Sequence, residues 1–139
     1  MTKINFARVM LGGLVAGLIL NIGDFLLHEP VLGEQWKAAM SAYNMPIPGT
    51  SAIIWFMIMD LIIGVSMVWL YAAIRPRYGA GIMTAIVAGL IVWFYGWLLN
   101  LGGLMAMGIY PQELLMLTIV WGAIQLPVAA IVGAWLYKE

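Results

Sequence analysis

Four long apolar stretches, at about residues 4–28, 51–74, 81–109 and 112–137, take up most of the 139-residue chain. Crossing about 30 Å of hydrocarbon needs roughly 20 mostly apolar residues in an α-helix, so each stretch is long enough to span a bilayer. Inside lipid a backbone must satisfy its own hydrogen bonds, which leaves helices or closed barrels. Uninterrupted apolar runs of this length select helices. Composition agrees, with 65% of residues hydrophobic and 9% charged, against roughly 25% charged in a soluble domain. The expected fold is all-α: a four-helix transmembrane bundle, one integral membrane domain over 1–139 with membrane lipids around it.

Charge excludes several functions. Six basic residues balance six acidic ones, so no basic field exists to hold nucleic acid, and none is expected as a partner. The chain has no Cys and one His, which removes thiolate chemistry and any multi-His metal site. No metal is predicted. His28 and eleven Met leave axial haem ligation chemically open, but no attachment signature accompanies them and no cofactor is predicted.

The basic residues set an orientation. Under four crossings Lys3, Arg8, Arg75, Arg77 and Lys138 fall on one side and Lys37 on the other, so both termini are expected in the cytoplasm, in a cell (cytoplasmic) membrane. The first span exceeds the apolar core of a signal peptide and no small-x-small site follows it, so it is expected to stay as an anchor. The connection 29–50 carries Pro30, Pro46, Pro48 and Gly49, with room for a short surface helix over 35–42. The second connection is Arg75-Pro-Arg-Tyr-Gly79 and the third a Tyr110-Pro111 corner.

The two halves are weakly alike. Val15-Ala-Gly-Leu-Ile in span one matches Val87-Ala-Gly-Leu-Ile in span three, and Trp69-Leu-Tyr matches Trp135-Leu-Tyr at the ends of spans two and four. With two spans per unit this is a candidate parallel duplication, which aligns His28 with Asn100.

After the first span comes Glu29-Pro-Val-Leu-Gly33-Glu-Gln-Trp36-Lys-Ala-Ala-Met40, a Pro-x-x-Gly-x-x-Trp-x-x-x-Met pattern, and later Trp69-Leu-Tyr-Ala-Ala-Ile-Arg-Pro-Arg-Tyr-Gly79. In these two segments the chain resembles a group of uncharacterised bacterial four-span membrane proteins of about this length. The resemblance implies a bacterial membrane protein and lends no activity.

Polar side chains inside hydrocarbon cost about 2.5–3.5 kcal/mol at a helix centre, so each needs a reason. Asn21, Asp24, Asp60, Asn100 and Gln125 lie within the spans, and His28 at their outer edge. At 1.5 Å per residue, Asp24 sits about 8 Å deep, Asp60 about 15 Å and Gln125 about 20 Å, all in the outer half or at the midplane. The inner half instead carries small-residue spacings such as Gly13-x-x-x-Gly17, Ala85-x-x-x-Gly89 and Ala129-x-x-x-Gly133, which let backbones approach and seal that end.

At 100° per residue, Gly13, Gly17, Asn21, Asp24 and His28 fall within an arc of about 80°. Gly89, Trp93, Gly96 and Asn100 share a face of span three, Thr118, Gly122, Gln125 and Ala129 one of span four, and Asp60, Gly64, Met67 and Tyr71 one of span two. Each polar residue thus shares the small-residue face expected to pack, with Gly13, Gly17, Gly64, Gly89, Gly96 and Gly133 as contact points. The expectation is a bundle sealed at its inner end with a polar cluster opening outward, walled by Trp55, Trp93, Tyr95, Trp97 and Trp121. Asp24 and His28, at i and i+4, are a candidate acid–imidazole pair. Trp36, Trp55 and Tyr110 at one surface, and Trp69, Tyr71, Tyr78, Trp135 and Tyr137 at the other, read as interfacial belts.

Three functions compete. A structural or interaction subunit, homo-oligomeric or part of a larger membrane complex, suits the short loops and small-residue stripes. A proton- or cation-coupled carrier or channel would use Asp60, though the inner half offers it no polar steps. A small intramembrane enzyme acting on a lipid-soluble substrate would rest on Asp24, His28 and Asp60, but the chain shows no nucleophile, metal set or phosphate cradle, so no catalytic residue is assigned.

Overall fold

The computed structural model describes residues 3–138, and every expected span is present in it. Helix α1 (Phe6–Leu26) continues through a π-helical turn, Leu27–Val31; α2 (Gly33–Ala42) is the short surface helix; α3 (Thr50–Tyr78) is the second span. The third consists of α4 (Ile82–Trp93), a π-helical turn Phe94–Leu99, and α5 (Asn100–Met107), and the fourth is α6 (Gln112–Leu136). The long helices reach from Phe6 to Val31, Thr50 to Tyr78, Ile82 to Met107 and Gln112 to Leu136, each long and apolar enough to cross a membrane.

Two connections are shorter or displaced relative to expectation. Arg75-Pro-Arg belongs to the last turns of α3, and the chain turns only at Gly79 to Gly81, where φ is +88° and +145°. Glycine alone takes such angles without strain, so it, and not Pro76, ends the helix. Span three stops at Met107, capped by Gly108 in the left-handed region at φ +67°.

Helix α1 lies between α3 and α6, α4 packs on α6 and α3, and α3 touches α6 across the centre. With no hydrophobic force between helices in lipid, close backbone approach holds such contacts together. A Cβ on Gly64 would collide with the backbone of Gly13 and Gly17; one on Gly13 would strike Val65, and one on Gly12 the Gly133 carbonyl. The expected contact glycines Gly13, Gly17, Gly64, Gly89 and Gly133 all lie in such close approaches. Gly96 does not: it is exposed with no atom within 4 Å of an added Cβ.

The likeness of the two halves extends to these contacts. The matching segments lie 72 residues apart in the first helices of the two hairpins (Val15 and Val87) and 66 apart in the second (Trp69 and Trp135). Gly17 sits against the Asp60 carbonyl and Leu61 Cα at 2.8 and 2.6 Å, measured from an added Cβ. Its equivalent, Gly89, sits against the equivalents of that pair, the Leu126 carbonyl and Pro127 Cα, at 2.9 and 2.7 Å. Asn21 donates from Nδ2 to the Met57 carbonyl at 3.2 Å. Its equivalent, Trp93, donates from Nε1 to the Ile119 carbonyl at 2.8 Å, one turn beyond the matching acceptor because the indole is longer. The bundle is therefore two parallel helical hairpins about a pseudo-two-fold axis.

The end bearing both termini is closed. Tyr71 and Tyr137, expected in an interfacial belt, are buried there instead, with ring centroids 6.0 Å apart and the Arg75 guanidinium 5.5 Å above the Tyr137 ring. Thr84 Oγ1 donates to the Gly79 carbonyl at 2.7 Å, tying the turn to α4. Around them Val9, Met67, Val68, Ala72 and Ala85 complete a continuous core.

The opposite end is also covered, so the polar cluster does not open outward as expected. Leu27, Leu32 and Leu114 are buried together beneath α2, with Trp36 and Trp121 packed against them. The cause lies in the π-helical turn: Leu32 N–H bonds the Leu27 carbonyl at 2.8 Å, which turns Leu32 in against Leu114 of α6.

Candidate functional site

Gln125 is the centre of the polar network. Its Nε2 donates to Asp24 Oδ1 at 2.6 Å, joining α6 to α1, and its Oε1 accepts from Trp121 Nε1 at 2.9 Å. These two bonds fix the amide orientation, since nitrogen must face the carboxylate and oxygen the indole N–H. Gly23 makes the approach possible, because a Cβ there would run into Gln125 Oε1. A hydrogen bond to a carboxylate in a low-dielectric interior is among the stronger kinds.

Asp60 is buried, 7% exposed, on the face of α3 that meets α1 through Gly64. Among the described residues its carboxylate accepts no hydrogen bond. Asn21 Nδ2 donates to the Gly17 carbonyl at 3.0 Å as well as to Met57, so it staples α1 to α3 by backbone contacts.

His28 does not pair with the Asp24 carboxylate as expected. Its Nδ1 lies 2.9 Å from the Asp24 backbone carbonyl; a carbonyl only accepts, so Nδ1 bears the hydrogen. The ring tilts against Trp36 at 6.0 Å, and Trp36 meets Tyr110 edge-on at 5.5 Å. The reach to the main chain at i−4 satisfies the ring locally.

Asn100 is not on the packing face of span three. Helical phase puts it with Gly89 and Trp93, but the turn at Phe94–Leu99 is π-helical, and its i→i+5 pattern adds a residue to the turn and rotates everything beyond it. Trp97 takes the inward place, 2.7 Å from where a Gly122 Cβ would be, while Gly96 and Asn100 turn outward. No residue from Phe94 to Met107 is buried. Of the aromatic walls, Trp55 and Tyr95 also lie outside, 61% and 68% exposed, whereas Trp93, Trp97 and Trp121 flank the interior.

The structure therefore joins Asp24, Gln125 and Trp121 by hydrogen bonds and leaves Asp60, His28 and Asn100 outside that network. Trp121 as a donor and Gly23 as the opening for Gln125 were missed from sequence; the i, i+4 spacing of Trp121 and Gln125 was the available signal. Among the described residues no three of His, Cys, Asp and Glu come together in a way that would hold a metal. The chain matches no protein-family model, no curated protein and no solved structure.

Proposed function

We propose that the chain is a self-associating membrane subunit, resident in a bacterial cell membrane with both termini in the cytoplasm, and that span three carries the contact. The orientation follows from Lys3, Arg8, Arg75, Arg77 and Lys138 at the end with the termini, against Lys37 at the other. The bacterial assignment rests on the sequence resemblance.

One observation carries the proposal: Asn100 is exposed within a membrane span, and its side chain makes no hydrogen bond among the described residues. Seven residues from the end of the span at Met107, it lies about 10 Å inside. An amide facing acyl chains is costly. It both donates and accepts, so an identical amide across a two-fold axis satisfies it, and a second copy is the occupant that fits. Gly96 and Gly103 flank Asn100 on the same face with open space before them, and small residues beside a polar one are the setting in which two membrane helices approach closely.

The chain lacks Cys, so single-cysteine variants report contacts cleanly. In native membrane vesicles, Gly103→Cys should form a disulfide dimer under mild oxidation, and Val120→Cys, exposed on α6, should not. Equal cross-linking at both positions would mean random collision and would discard the proposed face.

A further inference from the structure

We propose that the cleft between α2 and the start of α6 holds the head group of an aminophospholipid, phosphatidylethanolamine, with its ammonium on Glu113. The site lies away from span three, so it goes beyond self-association and does not depend on it.

The cleft follows from the sequence of α2. Gln35, Ala38, Ala39 and Ala42 stand at i, i+3, i+4 and i+7 and so share one face of that helix. That face is turned to Glu113 and Leu114 of α6, and because three of its four side chains are single methyl groups, a cavity of about 430 Å3 is left against them. Ala39 and Leu114 are buried, 6% and 1% exposed, and form its floor. Gln35 and Glu113 are exposed and form its rim. An apolar lining with a few polar groups, at about 300–1,000 Å3, is the usual make-up of a small-ligand site.

Charge and depth name the occupant. Lys37, the one Lys or Arg at this end of the bundle, is held by Glu34 at 3.3 Å, and the others lie at the end with the termini. Among the described residues Glu113 makes no ion pair, so its carboxylate is left for a cation from outside the chain. It is the second residue of the span Gln112–Leu136, which places it at the level of lipid head groups. Trp36 and Tyr110, next to Gln35 and Pro111 in the chain and 5.5 Å apart between ring centroids, are the aromatic residues such a boundary carries. A primary ammonium has three N–H groups, which Glu113 and the Gln35 carbonyl oxygen can accept, while the Gln35 amide nitrogen donates to the phosphate. The alanine and leucine floor suits the glycerol and first methylene groups of a lipid, which a free amine lacks.

The test uses the full chain purified in mild detergent and supplemented with one phospholipid at rising mole fraction, the acyl chains being matched. The midpoint of thermal unfolding should climb with phosphatidylethanolamine, as it does for a ligand that binds only the folded chain. Phosphatidylcholine, whose ammonium has no N–H to donate, should act more weakly, and anionic phosphatidylglycerol least. In Glu113→Gln the apparent dissociation constant for phosphatidylethanolamine should rise about 3- to 5-fold, the scale of an ion pair near a surface. Ala42→Trp, which fills the cleft, should abolish the response, and Glu34→Gln, outside the cleft, should keep it. All three positions are exposed, so the variants are expected to fold. An equal response to phosphatidylethanolamine and phosphatidylglycerol, or the same dissociation constant in wild type and Glu113→Gln, would overturn the site. So would a midpoint indifferent to added lipid, or one whose dependence on protein concentration is lost in Ala42→Trp, which would put a second copy in the cleft.

Discussion

Tyr71 and Tyr137 meet edge to face across the centre of the bundle, with ring planes 84° apart, and each closes the other's hairpin. The Tyr71 hydroxyl accepts the N–H of Gly81, the N-cap of α4, at 3.3 Å, and the Tyr137 hydroxyl accepts the N–H of Asn5, the N-cap of α1, also at 3.3 Å. Tyr71 lies two turns before the end of the second helix of one hairpin, Tyr137 at the end of the second helix of the other, and each bonds the start of the other hairpin's first helix. Tyr71 and Tyr137 are equivalents in the two hairpins, while their donors Asn5 and Gly81 stand one helical turn off the 72-residue register, so the two-fold relation holds here to within a turn.

Each bond should therefore count alike. Tyr71→Phe and Tyr137→Phe are expected to cost about 0.5–1.5 kcal/mol each, the usual net value of a hydrogen bond, read as shifts of the denaturation midpoint in detergent. A large loss at one tyrosine and none at the other would mean that the two hairpins are not equivalent at this end.

Close helix contact makes a second distinction. Gly64→Ala puts a methyl group into the backbone of Gly17, 2.7 Å from its Cα, while Gly102→Ala meets nothing within 4 Å. The first should destabilise by about 1–3 kcal/mol through overpacking. The second should be neutral or stabilise by up to about 1 kcal/mol through helix propensity. Thermal unfolding of the two variants side by side settles the matter.

Gln125 both donates and accepts, and its loss strands two partners. In Gln125→Leu, Asp24 loses its donor and the Trp121 indole N–H its acceptor, at an expected cost of about 1–3 kcal/mol for each buried group left unpaired. Gln125→Glu removes the donor and adds a second carboxylate beside Asp24, and should be the more damaging of the two. If instead Gln125→Leu unfolds at the wild-type midpoint, the bridge between α1 and α6 contributes nothing to stability.

Much of this architecture is legible in hydrophobicity and helical phase. Four apolar runs give four spans, and the arc that carries Gly13, Gly17, Asn21 and Asp24 does face α3 and α6, because an unbroken α-helix keeps its phase over that distance. Phase fails where the helix stops being regular. The π-helical turn after Trp93 carries Asn100 to the outside, and the one after Leu26 brings Leu32 in against Leu114. A run such as Phe94-Tyr-Gly-Trp-Leu-Leu99 is as apolar in one helical form as in the other, so periodicity carries no warning of the change. Tyr71 and Tyr137 fit an interfacial belt by position; only the pairing of the two hairpins buries them.

Self-association through Asn100 is tested most directly by energy transfer between donor- and acceptor-labelled chains reconstituted in vesicles at rising protein-to-lipid ratio. Wild-type protein should show saturable transfer at a donor–acceptor stoichiometry of two chains. In Asn100→Leu the apparent dimer dissociation constant should rise about 5-fold or more, equivalent to about 1 kcal/mol for an interhelical polar contact in a membrane. Transfer that grows only linearly with protein density, or that is the same in wild type and Asn100→Leu, would contradict it.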